Sequence, residues 1–216
     1  MSVIEANKSA RIYSRAEVVS DLTIHVLGIG FAAVASLWLL THVSSATLLA
    51  SVTVYCICLL AMIIASALYN LAPEGRLKDF FWRLDHSAIF LMIAGTYTPF
   101  AAHKVGATAG SVLLIAIWAL AAIGIALKIF FPKRFDAFGI GLCLVMGWLI
   151  VTVVRPLSAH VAMLDLGLLL AGGLIYSAGV VFHVVERIPH HKAIWHAFVL
   201  VAAVLHYSAI VMEFAR

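Results

Sequence analysis

From Leu22 through Pro73 the chain carries no Asp, Glu, Lys or Arg. A water-facing helix or strand needs a polar face, and a stretch this long offers none. The turn Thr41-His42-Val43-Ser44-Ser45 divides the stretch into two runs. Each run approaches the ~20 apolar residues that climb roughly 30 Å of hydrocarbon at 1.5 Å per residue. Composition agrees, with 64% of residues hydrophobic, 11% charged and a mean hydropathy of +1.10. A soluble domain keeps about a quarter of its residues charged. Soluble enzymes and soluble binding modules are therefore excluded.

Seven apolar runs are predicted to span a bilayer, at approximately 22–41, 47–69, 85–103, 109–131, 137–155, 160–185 and 194–213. Strand alternation is absent, so helices satisfy the backbone. The expected fold is an all-α integral membrane protein, one seven-transmembrane helix bundle over residues 22–213. Residues 1–21 precede it as a cytoplasmic N-terminal segment; they lack the apolar core and cleavage site of a signal peptide, so the segment is expected to be retained. Eleven of the fourteen Lys and Arg residues fall in the N-terminal segment and the second, fourth and sixth connections. Lys104, Arg155 and Arg216 fall on the other side. This bias predicts a cytoplasmic N-terminus and an external C-terminus. The basic residues are scattered singly, so no nucleic-acid partner is expected. Cys56, Cys58 and Cys143 read as small hydrophobes. Gly28, Gly30, Gly95, Gly124, Gly139, Gly141, Gly172, Gly173 and Gly179 read as close-packing positions between helices.

With a direction assigned, the polar residues collect at one end. Glu17, Asp21 and His25 share a stripe entering the first span, and Ser66, Tyr69 and Asn70 close the second. Asp85, His86 and Ser87 open the third; Lys192 and His196 open the seventh, just after His183, His190 and His191. Ionisable groups inside a membrane are costly and face a bundle interior. Other readings stay open. Glu17, His190 and His191 suit helix-end anchors, Asp85 a helix N-terminal cap, and Tyr69, Trp82 and Trp195 interfacial aromatics. His206, about 15 Å along the helix from His196, reads as a separate contact.

Arg83-Leu84-Asp85-His86-Ser87, followed by Ala94-Gly95-Thr96-Tyr97-Thr98-Pro99-Phe100, resembles the third-span signature of the bacterial hemolysin III family, which belongs with the progestin and adipoQ receptors. Glu17 through His25 resembles its first-span motif, and Ala193-Ile194-Trp195-His196 its last. The resemblance implies a bacterial plasma-membrane protein with zinc near the cytoplasmic face. Three histidines would hold the ion, from a Ser-x-x-x-His and a His-x-x-x-His pattern; a third-span aspartate and a second-span serine would support the chemistry. On that pattern Asp85 and Ser66 take the catalytic positions. The two other ligand positions read Asn70 and Lys192, which leaves His196 as the retained ligand. Asparagine ligates zinc poorly and a protonated lysine has no lone pair, so no cofactor is expected.

The sequence instead suggests a buried ion pair between Lys192 and Asp85, with Asn70 and Ser66 beside it, in a cavity that Glu17, Asp21 and His25 also line. The alternative is a shifted metal site drawn from His25, Asp21, Asp85, His86 and His196. Function follows the same fork. The first reading is lipid sensing or membrane homeostasis, with a membrane lipid as partner. The alternatives are a metal-dependent, ceramidase-like hydrolase of lipid amides, which would act through a metal-bound water, and a pore-forming cytolysin. No span carries a polar stripe along its whole length, which argues against the pore.

Overall fold

The computed structural model describes residues 13–215. Glu5, Lys8 and Arg11 lie outside the described residues. Helix α1 (Arg15–Thr41) starts at Ser14, whose hydroxyl accepts the Glu17 N–H while Glu17 Oε2 accepts the Ser14 N–H at 2.8 Å. This reciprocal pair satisfies two amides the first turn leaves over. Helices α2 (Ala46–Leu71), α3 (Arg76–His103) and α4 (Ala107–Phe130) follow. Gly75 and Gly106 begin α3 and α4 with φ of 127° and 92°, backbone that side chains resist. Helix α5 (Asp136–Trp148) passes through a 3₁₀ segment (Leu149–Val153) into the short α6 (Val154–Ser158). Helices α7 (Met163–Val184) and α8 (His191–Phe214) complete the chain.

The helices close into a ring: α1 on α2, α2 on α3, α3 on α4, α4 on α5, α5 on α7, α7 on α8 and α8 back on α1. Counting Asp136–Ser158 as one unit, six helices are long and apolar enough to cross a membrane. The exception is α3. It is rich in polar residues yet contributes Phe90, Ala94, Phe100 and Ala101 to the core, each at 2% exposure or less. A helix shielded from lipid by its neighbours can carry polar residues, and α3 also packs against α5. On the outside, Val34, Ile115, Phe130 and Met163 are 70–78% exposed, which suits acyl chains and would be a liability in water. The molecule is an all-helical membrane bundle.

Several sequence expectations need correcting. Helix α3 begins at Arg76, nine residues before Asp85, so Asp85 caps nothing. The fifth span is not one continuous α-helix. Gly30, Gly141 and Gly173 have no atom within 4 Å of where a Cβ would stand, so they are not packing positions. Gly95, Gly124, Gly139, Gly172 and Gly179 are. Trp82 is not an interfacial aromatic either. It is 7% exposed and stacks on His86 with centroids 4.1 Å apart.

Candidate functional site

Helix α1 places Asp21 and His25 one turn apart on its inner face, and α8 brings His196 against them. Asp21 Oδ1 accepts a hydrogen bond from His196 Nδ1 at 2.5 Å. The His25 Nδ1–H points back to the Asp21 backbone carbonyl at 2.8 Å, with Asp21 Oδ2 at 3.9 Å. The two imidazoles meet edge to face, centroids 4.5 Å apart at 81°. Ser66 of α2 sits between their far sides: His25 Nε2 and His196 Nε2 each lie 3.3 Å from its Oγ. His25 is buried, and the side chains of Asp21 and His196 are 13% and 14% exposed.

Two cavities meet at this cluster. One is a cleft of about 780 Å³, counted to its open mouth, lined by Tyr13, Glu17, Asp21, Asn70, Lys78 and Lys192 among others. The other is half-open and lined by apolar side chains including Ile24, Met62, Ile63 and Leu200, together with Ser66, Asp85 and His196. His25 lines both. One wall of the second is built from Trp195, whose ring lies 5.1 Å from His183, and from His86.

The structure brings Asp21, His25, Ser66 and His196 together, with Asp85 in the same apolar cavity. It does not bring Lys192 to Asp85. Among the described residues Lys192 makes no ion pair with a carboxylate; its ammonium lies over the Tyr13 ring, 4.3 Å from the centroid. Asp85 Oδ2 lies 3.5 Å from His86 Nδ1, a ring nitrogen that also lies 2.9 Å from the Trp82 carbonyl. The two residues line different cavities, because the long lysine side chain reaches toward the polar cleft. The expected ion pair is not formed. Asn70 donates to the Ser66 carbonyl of its own helix at 3.0 Å. Glu17 lines the cleft, and its Oε1 accepts the His190 N–H at 3.1 Å, joining the starts of α1 and α8. The sequence reading missed Glu17's part in the reciprocal cap at Ser14, although Ser14-x-x-Glu17 is its local signature. His191 is buried and faces away, with Nε2 3.4 Å from the Tyr13 hydroxyl. His206 bonds the Leu169 carbonyl at 3.1 Å, apart from the cluster as expected.

A family model described as haemolysin-III related matches residues 15–207. The chain belongs to the haemolysin-III family. It is 38% identical over 187 residues to a hemolysin-3 homolog of Bacillus subtilis, covering 85% of this chain and 88% of that one. To hemolysin-3 of Bacillus cereus it is 37% identical over 187 residues, with 85% of each chain covered. A rice protein described as heptahelical transmembrane protein ADIPOR2 is 34% identical over 162 residues, 62% of this chain and 68% of that one, which places the haemolysin-III fold with the adipoQ receptors. No solved structure matches.

The zinc ligand set implied by this family does not fit the residues here. At its second-span position the Asn70 amide is bound to a helix carbonyl, and at its seventh-span position the Lys192 ammonium lies on an aromatic face. An amide oxygen is a weak zinc ligand and an ammonium has no lone pair to give.

Proposed function

We propose that the protein is a lipid-responsive membrane protein, acting in lipid sensing or membrane homeostasis, whose intramembrane cavity takes one acyl chain. The carrying observation is the half-open, mainly apolar pocket whose lining also includes Ser66, Asp85, His25 and His196. An acyl chain would lie against Met62, Ile63 and Leu200, and the polar head of the lipid would meet the histidines. Burying each methylene contributes about 0.8 kcal/mol in transfer from water, but the competing solvent is bilayer, so specificity would come from the head. The cleft holding Glu17, Asp21, Lys78 and Lys192 would then connect that head to water. The distribution of Lys and Arg among the connections supports a cytoplasmic setting for this end, and the bacterial relatives make a plasma membrane the natural one.

The test is lipid extraction from purified protein. An acyl lipid near one per chain is expected, and re-adding it should raise the unfolding temperature by mass action, about 2.7 kcal/mol at a hundredfold excess over Kd. Gly28→Leu would fill the cavity at a point where Ile63 Cγ2 already stands 3.4 Å from an added Cβ; it should remove the lipid, while Ile115→Ala on the outer face should not. Equal lipid in both variants contradicts the reading.

A second reading rests on the polar end of that cavity, where a serine, an aspartate and two histidines stand beside the space for an acyl carbonyl. Such residues would suit a lipid-amide hydrolase in which Asp85 would take and return a proton, and a metal, if His25 and His196 held one, would supply Lewis acidity. It would release product from a labelled lipid amide in a chelator-sensitive way. Absence of product with lipid bound leaves the sensing reading alone.

A further inference from the structure

The hydrogen-bond directions at the cluster leave a deficit of protons. The Asp21 backbone carbonyl can only accept, so the His25 Nδ1 that lies 2.8 Å from it carries the proton. An ionised Asp21 can only accept, so His196 Nδ1 carries the proton of that 2.5 Å bond. In neutral rings both Nε2 atoms are then bare lone pairs, and both face Ser66 Oγ at 3.3 Å. One hydroxyl has one proton to give. With Asp85 ionised and also bonded to that hydroxyl, a lone pair is left over at a largely buried point, and a cation held between the two rings would satisfy it.

The spacing suits a particular one. Zinc bonds of roughly 2.0–2.1 Å at tetrahedral angles separate neighbouring ligands by about 3.3–3.4 Å, and Ser66 Oγ is 3.3 Å from each ring nitrogen. Donor atoms of Asp21, His25 and His196 all lie within 4.8 Å of one another. Each ring also has its Nδ1 fixed by an oxygen of Asp21, the arrangement that sets the tautomer of a metal-ligating histidine. We infer that this chain binds a zinc-class divalent ion at a relocated site, with His25 Nε2 and His196 Nε2 as ligands, Ser66 Oγ beside them and Asp21 orienting both rings. The position differs from the family's set, since positions 70 and 192 take no part and a first-span histidine does.

Elemental analysis of full-length protein, purified in detergent and dialysed against buffered zinc, tests this. About one zinc per chain is expected in the wild type and in Lys192→Ala, and less than a tenth of that in His25→Ala and His196→Ala. Asp21→Ala should weaken zinc binding about 10–100-fold. Only monodisperse protein is scored; if an alanine variant aggregates, His25→Gln, with an amide that keeps a donor in place, substitutes for it. Asn70→His with Lys192→His, added to His25→Ala, rebuilds the family's ligand set and should restore zinc, showing that the chain still folds. Wild-type protein without zinc overturns the proposal. Zinc retained in either histidine variant, or lost in Lys192→Ala, also overturns it.

Discussion

Gly110→Leu is expected to destabilise the protein by about 3 kcal/mol, the upper part of the range for overpacking, and to lower its thermal midpoint in detergent accordingly. A Cβ at Gly110 would stand 2.1 Å from the Ala101 carbonyl oxygen and 3.2 Å from its carbon. Both are backbone atoms of α3, which cannot rotate away as a side chain can. The start of α4 would have to lift from the end of α3 and open the hairpin around Val105, which is 4% exposed. No hydrophobic drive pushes helices together inside a bilayer, so close backbone approach is a large part of what holds them. Gly141→Leu is the control, because nothing lies within 4 Å of its Cβ position; little change is expected. Equal losses at the two sites would contradict this assignment.

The second large effect belongs to Tyr97. Where α5 gives way to the 3₁₀ segment, the helical ladder is broken and backbone groups are released. The Tyr97 hydroxyl collects them: its proton is shared between Met146 O at 2.8 Å and Gly147 O at 3.0 Å, and its oxygen accepts the Ile150 N–H at 2.7 Å. Tyr97 is 7% exposed, so water cannot replace it freely. Tyr97→Phe keeps the ring and removes the hydroxyl. An unsatisfied buried polar group costs about 1–3 kcal/mol, and at least one of these three would be stranded, so a loss of about 2 kcal/mol is expected. Hydrogen exchange at Ile150 should accelerate at the same time. Unchanged stability with unchanged exchange would mean that the break is supported from elsewhere.

Apolar runs made the lipid-facing helices legible, because a helix that meets acyl chains has to be continuous in hydrophobicity. Helix α3 was legible from Asp85 onward only. Its first two turns carry Arg76, Lys78, Asp79 and Arg83, which look like a connection until the neighbouring helices are seen to enclose the rest of α3. The capping box at Ser14 and Glu17 could have been read from local spacing alone. The break in the fifth span could not, since its stability rests on a tyrosine from another helix.

The site divides in the same way. Asp21 and His25 are four residues apart, so their common face was visible in the sequence, as was His196 at the same end. What spacing could not supply was the packing of α1 on α8, which turns His196 Nδ1 onto Asp21 and both Nε2 atoms onto Ser66. Charge complementarity alone favoured Lys192 with Asp85. A lysine side chain long enough to reach the cleft instead lies over Tyr13, and the carboxylate stays in the apolar cavity.

X-ray absorption at the zinc edge of the loaded wild-type protein tests the relocated site most directly. Scattering from two imidazoles per zinc, with oxygen completing the shell, is the expected spectrum, and it should vanish with His25→Ala. A shell with one imidazole or none, or a spectrum untouched by that substitution, would contradict the convergence of α1, α2 and α8 on one ion.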